Sequence, residues 1–395
     1  MPARALLFRS HVNRTARKLL VWGSPLFTIV AACGGGNGDS SGFNGQGDDS
    51  GSSSYDGGGS DSSFVKPGDH PDGSKPTGDS GGGNPDAAMY PQLACNADPP
   101  QGAMQAAPLP TYGGTCPKLV AAPTENTITS SGAARQFLLA VPANLQPNEK
   151  LPVVFMWHWL GGSGSSFYTD GELQQAVDQQ RFLAVMPEKK GDVPYTWPFT
   201  IQDSDARMAE EYQFFDDMLA CVAQQYPTVN KNCVSSAGVS AGALFTDQLA
   251  AARSDRLSSF LSLSGGVGGV VRGWGNPAHK LPGIVLWGGP TDQCQGLLSF
   301  ASLSMSLEGS LASQGNFMIE CIHNCGHSAP PIAAQMGQSK FASLWGFIFD
   351  HPFWLGAGES PYTKTGLPSD FPSWCAIGAG HATPRTGACS SPSGC

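Results

Sequence analysis

Gly238-Val239-Ser240-Ala241-Gly242 is the stretch on which the reading of this chain turns. It has the form G-x-S-x-G, in which a serine stands on a sharp turn between a strand and a helix. The glycines are needed where a Cβ would meet neighbouring backbone. Cys233 to Ala237 before it reads as a strand, and Ala241 to Ala252 after it reads as a helix. The pattern occurs twice more, at Gly38-Asp39-Ser40-Ser41-Gly42 and at Gly78-Asp79-Ser80-Gly81-Gly82. Neither copy has a strand before it or a helix after it, so both are accidents of a Gly/Ser/Asp-rich composition.

The rest of the N-terminal sequence carries an address. Arg4, Arg9, Arg14, Arg17 and Lys18 precede an apolar stretch from Leu19 to Ala32 that Gly23 and Pro25 interrupt. That stretch is short for a membrane span and reads as a signal peptide over 1–32. Its end, Ile29-Val30-Ala31-Ala32-Cys33, resembles a bacterial lipobox. The resemblance implies cleavage before Cys33, a lipid on its thiol and membrane attachment. Gly34 in place of Asp favours the outer membrane or cell surface. Residues 33–90 are expected to be a disordered, solvated tether, because they contain almost no large apolar side chain to offset ordering entropy. Without the five basic residues of the leader, 17 Lys and Arg face 31 Asp and Glu, a net charge of about −14. So acidic a chain argues against nucleic acid as a partner. Ten cysteines besides Cys33, an even number in an exported chain, point to disulfides. Local spacing suggests Cys95–Cys116, Cys221–Cys233, a bond from Cys294 to Cys321 or Cys325, and a staple among Cys375, Cys389 and Cys395.

Residues 91–350 alternate apolar runs with helical patterns. Strands are expected at 136–141, 151–157, 182–186, 233–237, 260–263, 284–287 and 317–322, and helices at 172–180, 206–226, 241–252 and 341–349. That alternation predicts an α/β fold with a doubly wound, mainly parallel sheet. Residues 351–395 form a Cys-rich C-terminal tail.

A serine nucleophile needs a base, an acid that orients the base, and N–H donors for an oxyanion. Asp292 follows the strand Ile284-Val285-Leu286-Trp287, where a sheet-edge loop places the acid. His327 follows the strand that ends near Ile322 and is the expected base. His323 lies on or beside that strand and reads as a packed residue. The run Cys321-x-His323-x-Cys325-x-His327 also has the residue types of a zinc site, but its spacing is tight and an exported chain favours oxidised cysteines. No metal and no organic cofactor are expected. The oxyanion donors are expected from the backbone of Trp159 or Leu160, in the glycine-rich turn after Val153 to Trp157, together with Ala241. Trp159 and Trp197 are candidates to line the cleft, whereas Trp157 and Trp287 read as core.

Together these pieces resemble the secreted esterases that include polyhydroxybutyrate depolymerases and feruloyl or acetylxylan esterases, the carbohydrate esterase family 1 type. The resemblance rests on the strand-His-x-x-Gly-Gly loop at 153–162, Met186-Pro187-Glu188 with Trp197, the helix carrying Asp216, the turn at 238–242, Ser264-Gly265-Gly266, and the Asp292 and His327 loops. It implies an α/β-hydrolase fold, a Ser240–His327–Asp292 triad, and an ester substrate, polymeric or small, cleaved by a monomer. Trp159 departs from the family, which has glycine after the histidine. The strand Cys233-Val234-Ser235-Ser236-Ala237 is also more polar than a central strand should be. These departures keep two other functions in view, a peptidase of the same fold and a non-catalytic surface-binding lipoprotein.

Overall fold

The computed structural model describes residues 94–389, except 192–195, 295, 297, 356 and 357. The expected signal peptide, Cys33 and the tether lie outside the described residues. The chain runs β1 (Asn126–Ser130), β2 (Ala133–Ala140), β3 (Leu151–Trp157), α1 (Gly164–Asp170), α2 (Leu173–Gln180), β4 (Leu183–Pro187) and α3 (Asp205–Gln225). It continues through β5 (Val229–Val239), α4 (Ala241–Ala252), β6 (Ser259–Leu263), β7 (Gly283–Trp287), β8 (Gln293–Cys294), β9 (Leu298–Ser299) and α5 (Phe300–Gln314). It ends with β10 (Met318–Ile322), α6 (Ala342–Phe349), α7 (Tyr362–Thr365) and β11 (Cys375–Ile377).

Nine strands form one sheet in the order β1-β2-β4-β3-β5-β6-β7-β10-β11. The six from β4 to β10 in that order pair in parallel, while β1, β2 and β11 add antiparallel strands at the two edges. This is the α/β-hydrolase arrangement. The strands β3, β4, β6, β7 and β10 are buried at every position, and β3, β4 and β7 accordingly read as apolar runs, while β6 and β10 carry the buried polar residues Ser259, Ser262 and Glu320. Alternate side chains of β3 serve opposite faces. Val153, Phe155 and Trp157 join one core layer with α3 and α4, and Val154 and Met156 join the other with α2 and α6.

The polar strand before the serine turn has a local explanation. Ser235 Oγ lies 2.9 Å from Ser259 Oγ and 3.1 Å from Ser258 Oγ. Ser236 Oγ receives the indole N–H of Trp157 and contacts Thr246 Oγ1 at 3.2 Å. Each buried hydroxyl is therefore partnered, and a central strand carries them without an unmet donor.

Two elements depart from the sequence expectations. Helix α5 was not anticipated, because six serines and two glycines between 299 and 315 resemble a loop composition. In the structure Phe300, Leu303, Leu307 and Leu311 form its buried stripe, and Ser306 and Ser310 turn outward and bond to carbonyls four residues back. The disulfide pairing also differs. The bonds are Cys95–Cys233, Cys116–Cys221, Cys321–Cys375 and Cys325–Cys389. Cys294 is disulfide-bonded as well, but neither Cys321 nor Cys325 is its partner. Short sequence separation misled because the sheet brings together cysteines that are 54 to 138 residues apart.

One buried acidic pair links the edge of the sheet to the helix behind it. Glu308 on α5 and Glu320 on β10 are both almost fully buried, and Glu308 accepts the indole N–H of Trp287. Burial, reinforced by the nearby Glu320 charge, pushes the Glu308 carboxyl up to about 8. Because the native state holds this proton more tightly than the unfolded chain, the associated stability is full below the ordinary carboxylate range and is lost as pH rises through about 8. Thermal melts should therefore show the wild type losing more stability than Glu308→Gln between pH 6 and pH 9. Parallel losses would contradict the buried shared proton.

Candidate active site

The sheet reverses direction of growth at β3, which is followed in sequence by β4 on one side and in space by β5 on the other. Ligands of open α/β sheets bind outside the carboxyl ends of the strands at such a switch point. The serine turn at the end of β5 and the loop leaving β3 meet there.

Ser240 has φ 55° and ψ −120°, a conformation that L-residues avoid and that costs about 1–3 kcal/mol. The turn is tight enough that a Cβ on Gly238 would lie 2.2 Å from the carbonyl oxygen of Gly242. A Cβ on Gly242 would lie 1.9 Å from that of Trp157. Both glycines are thus required by backbone crossing, the second by the strand next door. The turn leaves Ser240 at the N-terminus of α4, and its side chain points away from the helix toward a histidine.

That histidine is His327. Its Nε2 lies 2.9 Å from Ser240 Oγ, and its Nδ1 lies 2.7 Å from Asp292 Oδ1. Asp292 is fully buried. Its other oxygen accepts the hydroxyl of Ser264 at 2.8 Å and the backbone N–H of Gly288 at 2.7 Å. Three donors thus surround the carboxylate, compensating the loss of water. The phenyl ring of Phe300, at the start of α5, stacks on His327 with centroids 4.2 Å apart and planes 15° from parallel. The acid and base loops are joined directly: Gly326 N–H donates to the Gly288 carbonyl, and His323 N–H donates to that of Trp287.

The loop after β3 packs across the start of α4. His158 is buried, its Nδ1 is 2.9 Å from the Trp159 carbonyl, and burial lowers its pKa to about 4, so the ring is neutral at pH 7. Gly162 N–H donates to the Trp159 carbonyl, closing the turn that carries Trp159 and Leu160. Ala241 is the first residue of α4, a position whose N–H has no acceptor within the helix.

The structure brings Ser240, Asp292 and His327 into one hydrogen-bonded chain, and the backbone leaving β3 crosses the serine turn at Gly242. It gives Trp197 a different place from the cleft wall expected of it. Trp197 is fully buried, 5.0 Å from the Trp157 ring, and its indole N–H donates to the His158 carbonyl. It supports the loop from below, because the chain after β4 turns inward there to cover the face of β3. Trp159 folds over Gly162, where a Cβ would lie 2.8 Å from the indole, and toward Phe167. His323 is buried, accepts the N–H of Cys325 on Nδ1, and is held neutral by burial, with a pKa of about 4. Two contributors were not read from the sequence as site residues, Ser264 and Phe300. Ser264 carried a signal, since it immediately follows a strand, and like Ser240 it has a positive φ, 51°. Phe300 carried none, because its helix was unseen.

No protein-family model matches this chain, and no curated protein matches it. Solved structures do resemble it. Native pOPH superposes with a TM-score of 0.54 at 17% identity, covering 67% of this chain and 97% of that one. A serine-to-alanine variant of pOPH with pNPB gives 0.53 at 16% identity, covering 68% and 97%. Native sOPH gives 0.51 at 17% identity, covering 67% and 97%. Likeness at this identity shows a shared fold.

Gly242→Ala should lower the melting temperature by several degrees, from the roughly 1–3 kcal/mol of overpacking. Gly309→Ala, where a Cβ meets nothing within 4 Å, should leave stability unchanged or slightly higher. Equal effects in the two melts would refute the backbone crossing. Ser264→Ala removes one donor from the buried Asp292 carboxylate and should cost about 1–3 kcal/mol of stability, read as a lower melting temperature than wild type; an unchanged melt would contradict the contact.

Proposed function

We propose that this chain is an exported serine carboxylic-ester hydrolase. The observation that carries the reading is the Ser240–His327–Asp292 chain, with contacts of 2.9 and 2.7 Å, at the switch point of an α/β-hydrolase sheet. Ser240 Oγ attacks the ester carbonyl carbon while its proton passes to His327 Nε2. The carbonyl oxygen becomes an oxyanion received by the N–H of Ala241 and by backbone N–H groups of Trp159 or Leu160. His327 returns the proton to the alkoxide oxygen as the C–O bond breaks, and the alcohol leaves. Water then gives its proton to His327 and attacks the acyl-enzyme. The carboxylic acid departs, and Ser240 recovers its proton. Asp292 holds the imidazole in the tautomer that can accept at Nε2, and Phe300 fixes the plane of the ring.

The choice of ester is taken from the solved structures of like fold, one of them a complex with pNPB. That favours a butyrate-like acyl group, as in a polyhydroxyalkanoate-type polyester, over feruloyl or acetyl esters on a plant-wall polysaccharide. The disulfides suit an oxidising compartment, and a lipid at Cys33 followed by a long tether would present the catalytic domain, from residue 91 onward, to a polymer outside the cell.

The test is turnover of p-nitrophenyl butyrate, hydroxybutyrate oligomers, methyl ferulate and acetylated xylan by the full chain and by Ser240→Ala. The wild type should hydrolyse the butyrate and hydroxybutyrate esters with kcat/KM at least tenfold above the polysaccharide ester, and Ser240→Ala should lose at least roughly a thousandfold. Turnover that survives the substitution would remove Ser240 from the mechanism. Turnover of no ester would favour a binding protein on this fold.

A further inference from the structure

The base loop has two sides, and they are held by different parts of the chain. Its inner side is tied to the acid loop through Gly326 and His323, as described above. Among the described residues its outer side is tied by the C-terminal segment. Beyond β11, which pairs antiparallel with β10 and is bonded to it by Cys321–Cys375, the chain turns back and runs along β10 to the loop. Gly378 N–H donates to the Met318 carbonyl, Ala382 N–H to Glu320 Oε2, and Arg385 N–H to the Ile322 carbonyl. At the loop itself Arg385 Nη1 donates to Asn324 Oδ1 at 2.6 Å, while Asn324 Nδ2 donates to the Gly387 carbonyl at 2.8 Å. Cys389 closes the contact by its disulfide to Cys325, two residues before His327.

This segment adds little to the core. Residues 383, 384 and 386–388 are exposed, and none of 380–389 belongs to the buried residues of either core layer, although Ala382 packs on one from outside. Its polar contacts run along β10 and end on Asn324 and Cys325. A segment that served only to cover the sheet edge would bury apolar side chains along β10. This one ends by gripping the short loop that carries the base.

We propose that residues 378–389 are the positioning element of the base loop, acting on His327 through Arg385 and the Cys325–Cys389 disulfide. The inference rests on the reading of Ser240 and His327 as nucleophile and base. His327 must hold its Nε2 within reach of Ser240 while Asp292 holds Nδ1, and a loop anchored on one side only would let the ring swing between them. Arg385 and the disulfide remove that freedom without touching the substrate. Their loss should therefore lower kcat while KM is kept.

A fluorophosphonate probe reads the Ser240–His327 pair directly. Ser240 Oγ forms a bond to phosphorus, fluoride leaves, and the serine proton passes to His327. The labelling rate should be compared for the full chain, Ser240→Ala, Arg385→Ala, the double variant Cys325→Ser/Cys389→Ser, and the double variant Cys116→Ser/Cys221→Ser. The last removes a disulfide from the far side of the sheet. Arg385→Ala and Cys325→Ser/Cys389→Ser should label at least tenfold more slowly than wild type. Their KM for p-nitrophenyl butyrate should stay within twofold, whereas Cys116→Ser/Cys221→Ser should label within twofold of wild type. Arg385→Ala keeps every disulfide, so it decides the matter if the double variant does not fold. Labelling of Arg385→Ala within twofold of wild type overturns the proposal while leaving the triad intact. A wild type that does not label, or Ser240→Ala labelled as fast as wild type, overturns the triad and the proposal with it.

Discussion

The three hydrogen bonds onto the Asp292 carboxylate are the interaction from which the rest of the site follows. A fully buried carboxylate is tolerated only where donors replace water, and here they come from three places: the ring of His327, the hydroxyl of Ser264 and the backbone of Gly288. Each is delivered by a different strand end. Ser264 leaves β6, Gly288 leaves β7 and His327 follows β10, and the serine turn leaving β5 completes the row. The parallel sheet is what makes these loops converge, since all four strands present their carboxyl ends on one edge. Around the carboxylate the backbone is strained where it has to be. Ser240 and Ser264 both hold positive φ values, and both hydroxyls enter the hydrogen-bonded cluster.

Much of this was legible in the sequence because it depends on local rules. The bounds of α4 and β3 agree with the helix and strand expected at 241–252 and 151–157. The order of serine, aspartate and histidine on successive strand ends identified three residues that the fold does bring together. The failures are equally physical. Helix α5 was hidden because its outward serines bond to their own backbone and mask a regular apolar stripe. The disulfides were misjudged because sequence distance is a poor guide once a sheet reorders the chain. Trp197 was assigned to the cleft from its place in a loop, yet only tertiary packing could reveal that the loop dives beneath β3. The polar strand before Ser240, which looked like a departure, proves to be a set of paired hydroxyls.

The tail changes most between sequence and structure. Read alone, 351–395 is a Pro/Gly-rich, Cys-rich extension. In the fold it supplies a strand to the main sheet and closes onto the loop that carries His327. A histidine loop held from both sides suits a device in which one ring must address two partners less than 3 Å away on either edge.

The central claim is that Ser240 carries the acyl group during turnover. Rapid-quench mass spectrometry of the full chain with an excess of p-nitrophenyl butyrate, followed by peptide mapping, measures it most directly. The account predicts a transient mass gain of one butyryl group on the peptide containing Ser240, formed at the rate at which p-nitrophenolate appears. Steady ester turnover with the adduct on another residue, or with no adduct while Ser240→Ala turns over as fast, would contradict it.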